Sequence, residues 1–424
     1  ARDVLHHGAE KITDALRDQP AVRARLMSTI GGVGANLGYF DMSEPLLVDA
    51  LAVQREILGN DHLEVGRTLF TLGWMFFWQG ELTRSLASFE EAARILEKTA
   101  GPTDQLPLTA RTAAAFLMNL VGDVEESREA LDKALEDSEA TFGPDSAAVS
   151  DVLLFSGNLR FDAGQIEEAG REWERAVAIR RAVFGADHQQ YAFAIADLAR
   201  YFRVTRQLEE SRRLTESAIE IFERTYGPEH PALAVTLGSQ GTTLRRMEDY
   251  EGAIQHYERA ASILRNLFGP DHIRLSWITR GLAGVYLRMD DFDEALSIAR
   301  EALRISEAAY GKEHIESARS HSLIGYVEYK LERYAESRQE YETSLAIRNK
   351  VLPANHRGLI TACYNLACIF ALEGERGRAL EMLQMSLDAG FANPLIFDDP
   401  DLDILRGDPE FEEMAREVHR RQPE

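Results

Sequence analysis

The chain has 424 residues, 45% of them hydrophobic and 28% charged, which is enough apolar material for a large core. Its 70 Asp and Glu against 47 Lys and Arg leave a formal net charge of -23, a balance that repels phosphate backbones and argues against nucleic acid as a partner. No window reaches ~18 uninterrupted apolar residues, so membrane insertion is not expected.

The opening residues, ARDVLHHGAEKI, start without Met and without a signal-peptide pattern, and read as the beginning of an excised segment. Beyond them one stride organises the chain. A glycine recurs every 42 residues, at Gly59, Gly101, Gly143, Gly185, Gly227, Gly269 and Gly311, and Pro353 takes the next place. The text around it runs LGNDH, AGPTD, FGPDS, FGADH, YGPEH, FGPDH and YGKEH. A small column keeps the same step: Gly31, Gly73, Ala115, Gly157, Ala199, Gly241, Ala283, Gly325 and Ala367. Twelve residues after each comes Ser or Ala (Ser43 to Ala379), and seven beyond that Ala or Ser (Ala50 to Ser386). Small residues at fixed places let two helices cross closely, with large neighbours such as Phe89, Leu131, Trp173, Tyr257 and Tyr341 filling the gaps.

Between the columns the apolar spacing is helical, as in Leu237, Leu244, Ile254, Tyr257, Ala261 and Leu264. In chain order, each unit breaks once near Gly38, Gly80, Gly122, Gly164, Arg206, Glu248, Asp290, Glu332 and Gly374, where a helix end wants a left-handed residue. It breaks again at the Gly-Pro-Asp-His segment, which ends one helix and caps the next. Two helices per 42 residues follow, with no strand pattern.

Small, small and Ala at offsets 0, 12 and 19 resemble the tetratricopeptide repeat, and the 42-residue step with its Gly-Pro-Asp-His linker is similar to the longer variant found in kinesin light chains and many bacterial proteins. The resemblance implies an all-α, right-handed α-solenoid: a leading helix or linker in residues 1–19, nine helical hairpins over 20–390, and a C-terminal capping segment in 391–424. Residues 1–47 resemble the segment that follows the kinase and membrane-spanning parts of some bacterial serine/threonine kinases. The tail DDPDLDILRGDPEFEEMAREV resembles the closing segment of the same tetratricopeptide families.

Chemistry is sparse. No glycine-rich phosphate loop, HRD-type catalytic loop or DFG triplet is present, so any kinase domain lies outside this chain and no enzyme or cofactor is expected. His62, His188, His230, His272, His314 and His356 share the linker column, and successive repeats stand ~10 Å apart, too far to share a metal ion; they are expected to cap helices. Cys363 and Cys368, five apart on one helix, point to different faces as small core residues. The run Asp398, Asp399, Asp401 and Asp403 lacks EF-hand spacing and reads as a solvated, helix-capping turn. No metal site is expected.

The resemblance implies that first helices line an inner groove. The family's groove offsets in repeats five to eight hold Arg200, Arg203, Arg245, Arg246, Arg280, Arg288, Arg319 and Lys330 against one acid, Asp197, with Phe193, Trp277, Tyr326 and Tyr329 on the same face. That reverses the sign of the whole chain and suits an extended acidic segment with an aromatic anchor, since guanidinium forks pair carboxylates. Cations near helix ends also suit the macrodipole, which is the structural alternative. In repeats two to four Phe70, Trp74, Phe77, Trp78, Phe116 and Phe161, with Asn119 and Asn158, form either a second contact patch or rings buried between repeats.

The sequence therefore reads as a non-catalytic scaffold for a protein or peptide partner, expected in the cytoplasm. The alternative is the sensory or docking region of a serine/threonine kinase, placed across the membrane if a kinase and span precede it. Self-assembly through the aromatic end is a third reading.

Overall fold

The computed structural model describes residues 2–16, 18–352, 356–393 and 397–420. Ala1 and Pro353, which the periodicity singled out, lie outside them. The described residues are all helical apart from short turns, and they divide into two compact units, Ala1–Gly269 and Pro270–Glu424.

In the first unit α1 (Arg2–Ala15) precedes six hairpins: α2 (Pro20–Asn36) with α3 (Phe40–Leu58), α4 (Leu63–Gln79) with α5 (Leu82–Thr99), α6 (Leu106–Val121) with α7 (Val124–Phe142), α8 (Ala147–Asp162) with α9 (Ile166–Phe184), α10 (Gln189–Val204) with α11 (Leu208–Tyr226), and α12 (Pro231–Arg246) with α13 (Tyr250–Phe268). The second unit holds three more: α14 (Leu275–Arg288) with α15 (Phe292–Tyr310), α16 (Ile315–Lys330) with α17 (Tyr334–Val351), and α18 (Ile360–Leu372) with α19 (Arg376–Asp388). A 3-10 turn (Pro400–Leu405) and α20 (Pro409–Arg420) follow. Within each unit a second helix packs on the first helix of the next hairpin, and successive first helices also touch, as α6 on α8 and α14 on α16. Among the described residues the hairpins number nine.

The small column sets the crossing inside each hairpin. A Cβ added to Gly31, Gly73, Gly157, Gly241 or Gly325 would strike the side chain sixteen residues on: Leu47, Phe89, Trp173, Tyr257 or Tyr341. At Gly157 it would lie 2.5 Å from Trp173 Nε1. Where the column holds Ala instead, the residue sixteen on is Leu131, Thr215, Ala299 or Leu383, never aromatic. The Ser column adds a clip: Ser85, Ser211 and Ser337 donate to the carbonyls of Gly73, Ala199 and Gly325 at 2.8–2.9 Å.

Every hairpin turn ends its first helix with a six-to-one hydrogen bond, from Glu81 N to Phe76 O and Asp249 N to Leu244 O for example. That geometry puts one residue at positive φ. Glycine fills it in five turns, whereas Arg206, Glu248, Asp290 and Glu332 adopt φ of 58–65°. Four linker histidines, His62, His188, His230 and His314, cap helices as expected, their Nδ1 accepting the N–H two residues on at 3.1–3.2 Å; His272 and His356 make the same bond, at 3.4 and 2.9 Å, in the turns ahead of their helices. The rings of His188, His230 and His314 also stack on the aromatic four residues earlier, His230 on Tyr226 with centroids 3.9 Å apart.

Within the first unit, hairpin six returns to hairpin one. Phe268 stacks on Phe40 at 5.4 Å, Trp78 meets His230 edge-on at 6.1 Å, and a Cβ at Gly38 would lie 3.4 Å from Pro231 Cδ. His230 is 3% exposed and also hydrogen bonds to the Asn36 backbone. Because its Nδ1 accepts from Ala232, the neutral ring carries its proton on Nε2. Burial lowers its pKa from 6.5 to about 4.

Three outcomes follow from this packing. Gly157→Ala should cost about 1–3 kcal/mol by overpacking, and almost nothing in a Trp173→Leu background, a coupling that a thermal-melt double-mutant cycle reads directly. Glu248→Gly should stabilise by about 0.5–1 kcal/mol by relieving a left-handed side-chain residue, seen as a raised melting temperature. Between pH 6.5 and 4 the unfolded chain binds the His230 proton and the folded chain does not. The stability is therefore complete above pH 6.5 and lost on acidification through that window, by on the order of 3 kcal/mol. Replacing His230 with Asn should flatten that part of the pH–melting curve.

Candidate functional site

The cations of this acidic chain are mostly spent on the second helices. Arg175 pairs with Glu139 at 2.7 Å, Arg259 with Glu223 at 2.6 Å and Arg378 with Glu342 at 3.0 Å, each 36 residues back and so one hairpin away. Arg224 and Lys350 reach the preceding linker acids Asp187 and Glu313. These exposed pairs form a periodic ladder, each worth about 0–1 kcal/mol.

Where first helices meet in hairpins four to six, the pattern differs. Arg200 on α10 lies over the Phe161 ring at 4.5 Å, donates to Asn158 Oδ1 and approaches Asp197 and Asp162 at 3.6 and 3.8 Å. Asn158 also reaches Asp197 through Nδ2. Three residues on, Arg203 donates to Ser239 Oγ at 2.7 Å and to its carbonyl at 3.4 Å. Arg246 donates to the Arg203 carbonyl at 2.8 Å. The half-buried Arg245 places its Nε in the interior without a hydrogen-bond partner. Among the described residues no carboxylate lies within ion-pair distance of Arg203, Arg245 or Arg246. Burial, with the neighbouring charges of Arg200, Arg246 and Arg245, lowers Arg203 to about 10; burial and the charges of Arg245 and Arg206 lower Arg246 as well. The sequence brought these four arginines together. The cation it passed over is Arg206, whose place as a left-handed turn residue hid its proximity.

In the second unit most of the expected groove residues already have partners inside the chain. Arg280, 14% exposed, pairs with Glu316 at 2.5 Å and donates to Ser276. Glu316 also takes Arg319. Two of the eight cations are therefore neutralised by one acid in the first turn of α16, a position outside the groove offsets. Arg288 and Lys330 are exposed, and Trp277 is half-buried. Tyr326 and Tyr329 stack at 6.0 Å with Lys330 Nζ 5.6 and 5.5 Å from their centroids. The Tyr329 hydroxyl is bound at 2.6 Å to Asp401, and Tyr364 to Asp399.

The acidic turn is therefore more than a solvated cap. Asp399 caps the 3-10 turn through Asp401 N, while Leu402 and Leu405 bury themselves against α18. Apolar anchoring draws the carboxylates down onto the tyrosines. Cys368 Sγ lies with Asp399 and Asp401 oxygens within 4.8 Å, a grouping the sequence did not suggest. Both carboxylates already accept a tyrosine proton, and burial together with those carboxylates pushes the Cys368 thiol up, away from the thiolate a metal needs. Cys363, also buried, is likewise unbridged.

The aromatic residues of hairpins two to four interlock. Trp74 contacts Phe70, Phe77, Phe89 and Phe155 with centroids 5.1–6.4 Å apart, and Phe116 bridges Phe77 and Phe155. Phe70, Trp74, Phe77, Trp78, Phe116, Asn119 and Asn158 are all half-buried, none exposed. Trp74 stacks on Phe155 two hairpins away and Trp78 meets His230 edge-on four hairpins away, so these rings line the interior that the returning sixth hairpin closes.

Among the described residues no helix is long and apolar enough to cross a membrane. No curated protein matches the chain. Among solved structures, it is similar to a Rap protein complexed with Competence and Sporulation Factor, at 14% identity over 84% of this chain and 96% of that one, TM-score 0.60. It is also similar to BtubC (BKLC) from P. vanneervenii, at 23% identity over 54% and 92%, TM-score 0.42. A third likeness is to nearly identical TPR-like repeats assigned to a kinesin light chain of Podosopora anserina, at 20% identity over 47% and 94%, TM-score 0.39. At these identities the likenesses speak for the fold alone. The tetratricopeptide repeat family matches residues 22–98, 198–266, 238–308 and 316–389, and a second form of the repeat matches 157–190. With more than half of its length matched, and with its small columns, hairpin turns and helix crossings in register, the chain belongs to the tetratricopeptide repeat family.

Proposed function

We propose that the protein is a non-catalytic scaffold that holds an acidic segment of a protein partner on the first-helix face of hairpins five and six, through Arg200, Arg203, Arg245 and Arg246. One observation carries the reading: in a chain with a net charge of -23, Arg203, Arg245 and Arg246 cluster without a carboxylate, while many cations of the second helices, Arg175 and Arg259 among them, are paired one hairpin away. Guanidinium groups that repel one another gain most from an incoming anion, and the rigid helices limit the ordering cost of binding. The half-buried Phe161 ring beneath Arg200 places aromatic surface at the same spot. A Rap protein of the same fold has been solved complexed with Competence and Sporulation Factor, which supports this architecture as a holder of a bound molecule. In the second unit Trp277, Arg288, Tyr326 and Lys330 are further candidates, whereas Arg280, Arg319 and Tyr329 have internal partners. The aromatic residues around Trp74 are assigned to packing rather than contact.

The kinase reading rests on the likeness of residues 1–47. A kinase domain and one apolar span encoded ahead of Ala1 would support it, and their absence from the gene would retire it.

Charge reversal tests the scaffold reading. Against a ten-residue peptide of Asp and Glu with one Trp, the Arg203→Glu, Arg245→Glu double variant should bind at least tenfold more weakly by fluorescence anisotropy, at an unchanged circular dichroism spectrum. Equal affinity of wild type and variant would dismiss this face as the binding site.

A further inference from the structure

Resting on that reading of the face, we infer that the anion it takes is a phosphorylated side chain of the partner segment rather than a single carboxylate. The chain supplies its own measure of what one carboxylate can do. Glu316 serves two guanidinium groups, Arg280 and Arg319, and the buried Glu328 serves two, Arg300 and Arg333. At hairpins five and six the unpaired set is larger: Arg203, Arg245 and Arg246, with Arg206 close enough to act on Arg246. What these groups hydrogen bond to is neutral, the Ser239 hydroxyl and carbonyl and the Arg203 carbonyl, so none of the positive charge is cancelled by those bonds. Arg245 makes no hydrogen bond among the described residues, and its Nε is buried unsatisfied.

A phosphate ester brings between one and a half and two negative charges and three strong acceptor oxygens on one tetrahedral centre. It can face three guanidinium groups at once, whereas a carboxylate has two oxygens and one charge. Arg246 and Arg206 are exposed and Arg203 and Arg245 half-buried, so the cluster is open on one side. Arg200 is set apart from this demand, since Asp197, Asp162 and Asn158 already surround it.

The test uses the full chain and four versions of the ten-residue Asp/Glu/Trp peptide, with Ser, phosphoserine, Glu or Glu-Glu at the centre. Phosphoserine should bind at least tenfold more tightly than Ser or Glu and more tightly than Glu-Glu. Arg245→Gln with Arg246→Gln should weaken the Ser, Glu and phosphoserine peptides alike in sign, but the phosphoserine peptide at least tenfold more than the Ser peptide, so that the preference disappears. Arg246→Gln alone, at an exposed position, should erode it in the same direction if the double variant melts early. Phosphoserine and Glu peptides of equal affinity would overturn the inference and leave the acidic-segment reading standing. Glu-Glu matching phosphoserine would assign the cluster to paired acids instead. Inorganic phosphate competing as well as the phosphopeptide would assign it to the free ion. Failure of every peptide to bind would remove both readings.

Discussion

Each hairpin closes at one crossing, where a glycine or alanine of the first helix lies against the side chain sixteen residues on. The separation of the two helices is set there, because interiors packed to crystal density tolerate neither an extra methyl nor a void. Gly stands against Leu47, Phe89, Trp173, Tyr257 or Tyr341 and Ala against Leu131, Thr215, Ala299 or Leu383, so aromatic rings meet glycine alone at this crossing. Seven alanines of the third column, from Ala50 to Ala302, are fully buried for the same reason. A constant hairpin gives a constant seam, and this lets a 42-residue stride run through nine units without an insertion.

The same regularity organises charge. Second helices carry acids and bases at spacings that meet one hairpin later, so much of the basic minority is paired in a ladder on that side. First helices do not continue the ladder in hairpins five and six. Arg203 and Arg246 stand in the last turns of α10 and α12, where the partial negative charge of the helix ends offsets part of their repulsion. Local support of this kind holds the cations in place without neutralising them, which is the condition an anion site requires.

Aromatic side chains do a different task in the first unit. The ring chain from Phe70 through Trp74, Phe155, Phe116 and Phe77 to Trp78 and His230 joins hairpins that are far apart in sequence. Offset and edge-on ring pairs add to simple burial, and they are tolerant of the angle between neighbours. Rings therefore suit an interior whose walls arrive from three or four hairpins. In the second unit polar and apolar contacts together seat the tail, with Leu402, Leu405, Phe411 and Val418 buried and Asp399 and Asp401 on tyrosines.

What the sequence by itself determined is local and periodic: two helices per 42 residues, the left-handed residue at each turn including the four without glycine, the histidine caps, and the small columns opposite large side chains. These features depend on residues at most about twenty apart, whose relation the helix geometry dictates. It also located the Arg200, Arg203, Arg245 and Arg246 group, because neighbouring hairpins share one offset table. Tertiary structure decided the rest. It paired Arg280 with Glu316 of the next hairpin, turned the aromatic patch inward by returning hairpin six to hairpin one, and brought Asp401 to Tyr329, 72 residues away. Each of these depends on how one hairpin packs against another, which no single repeat encodes.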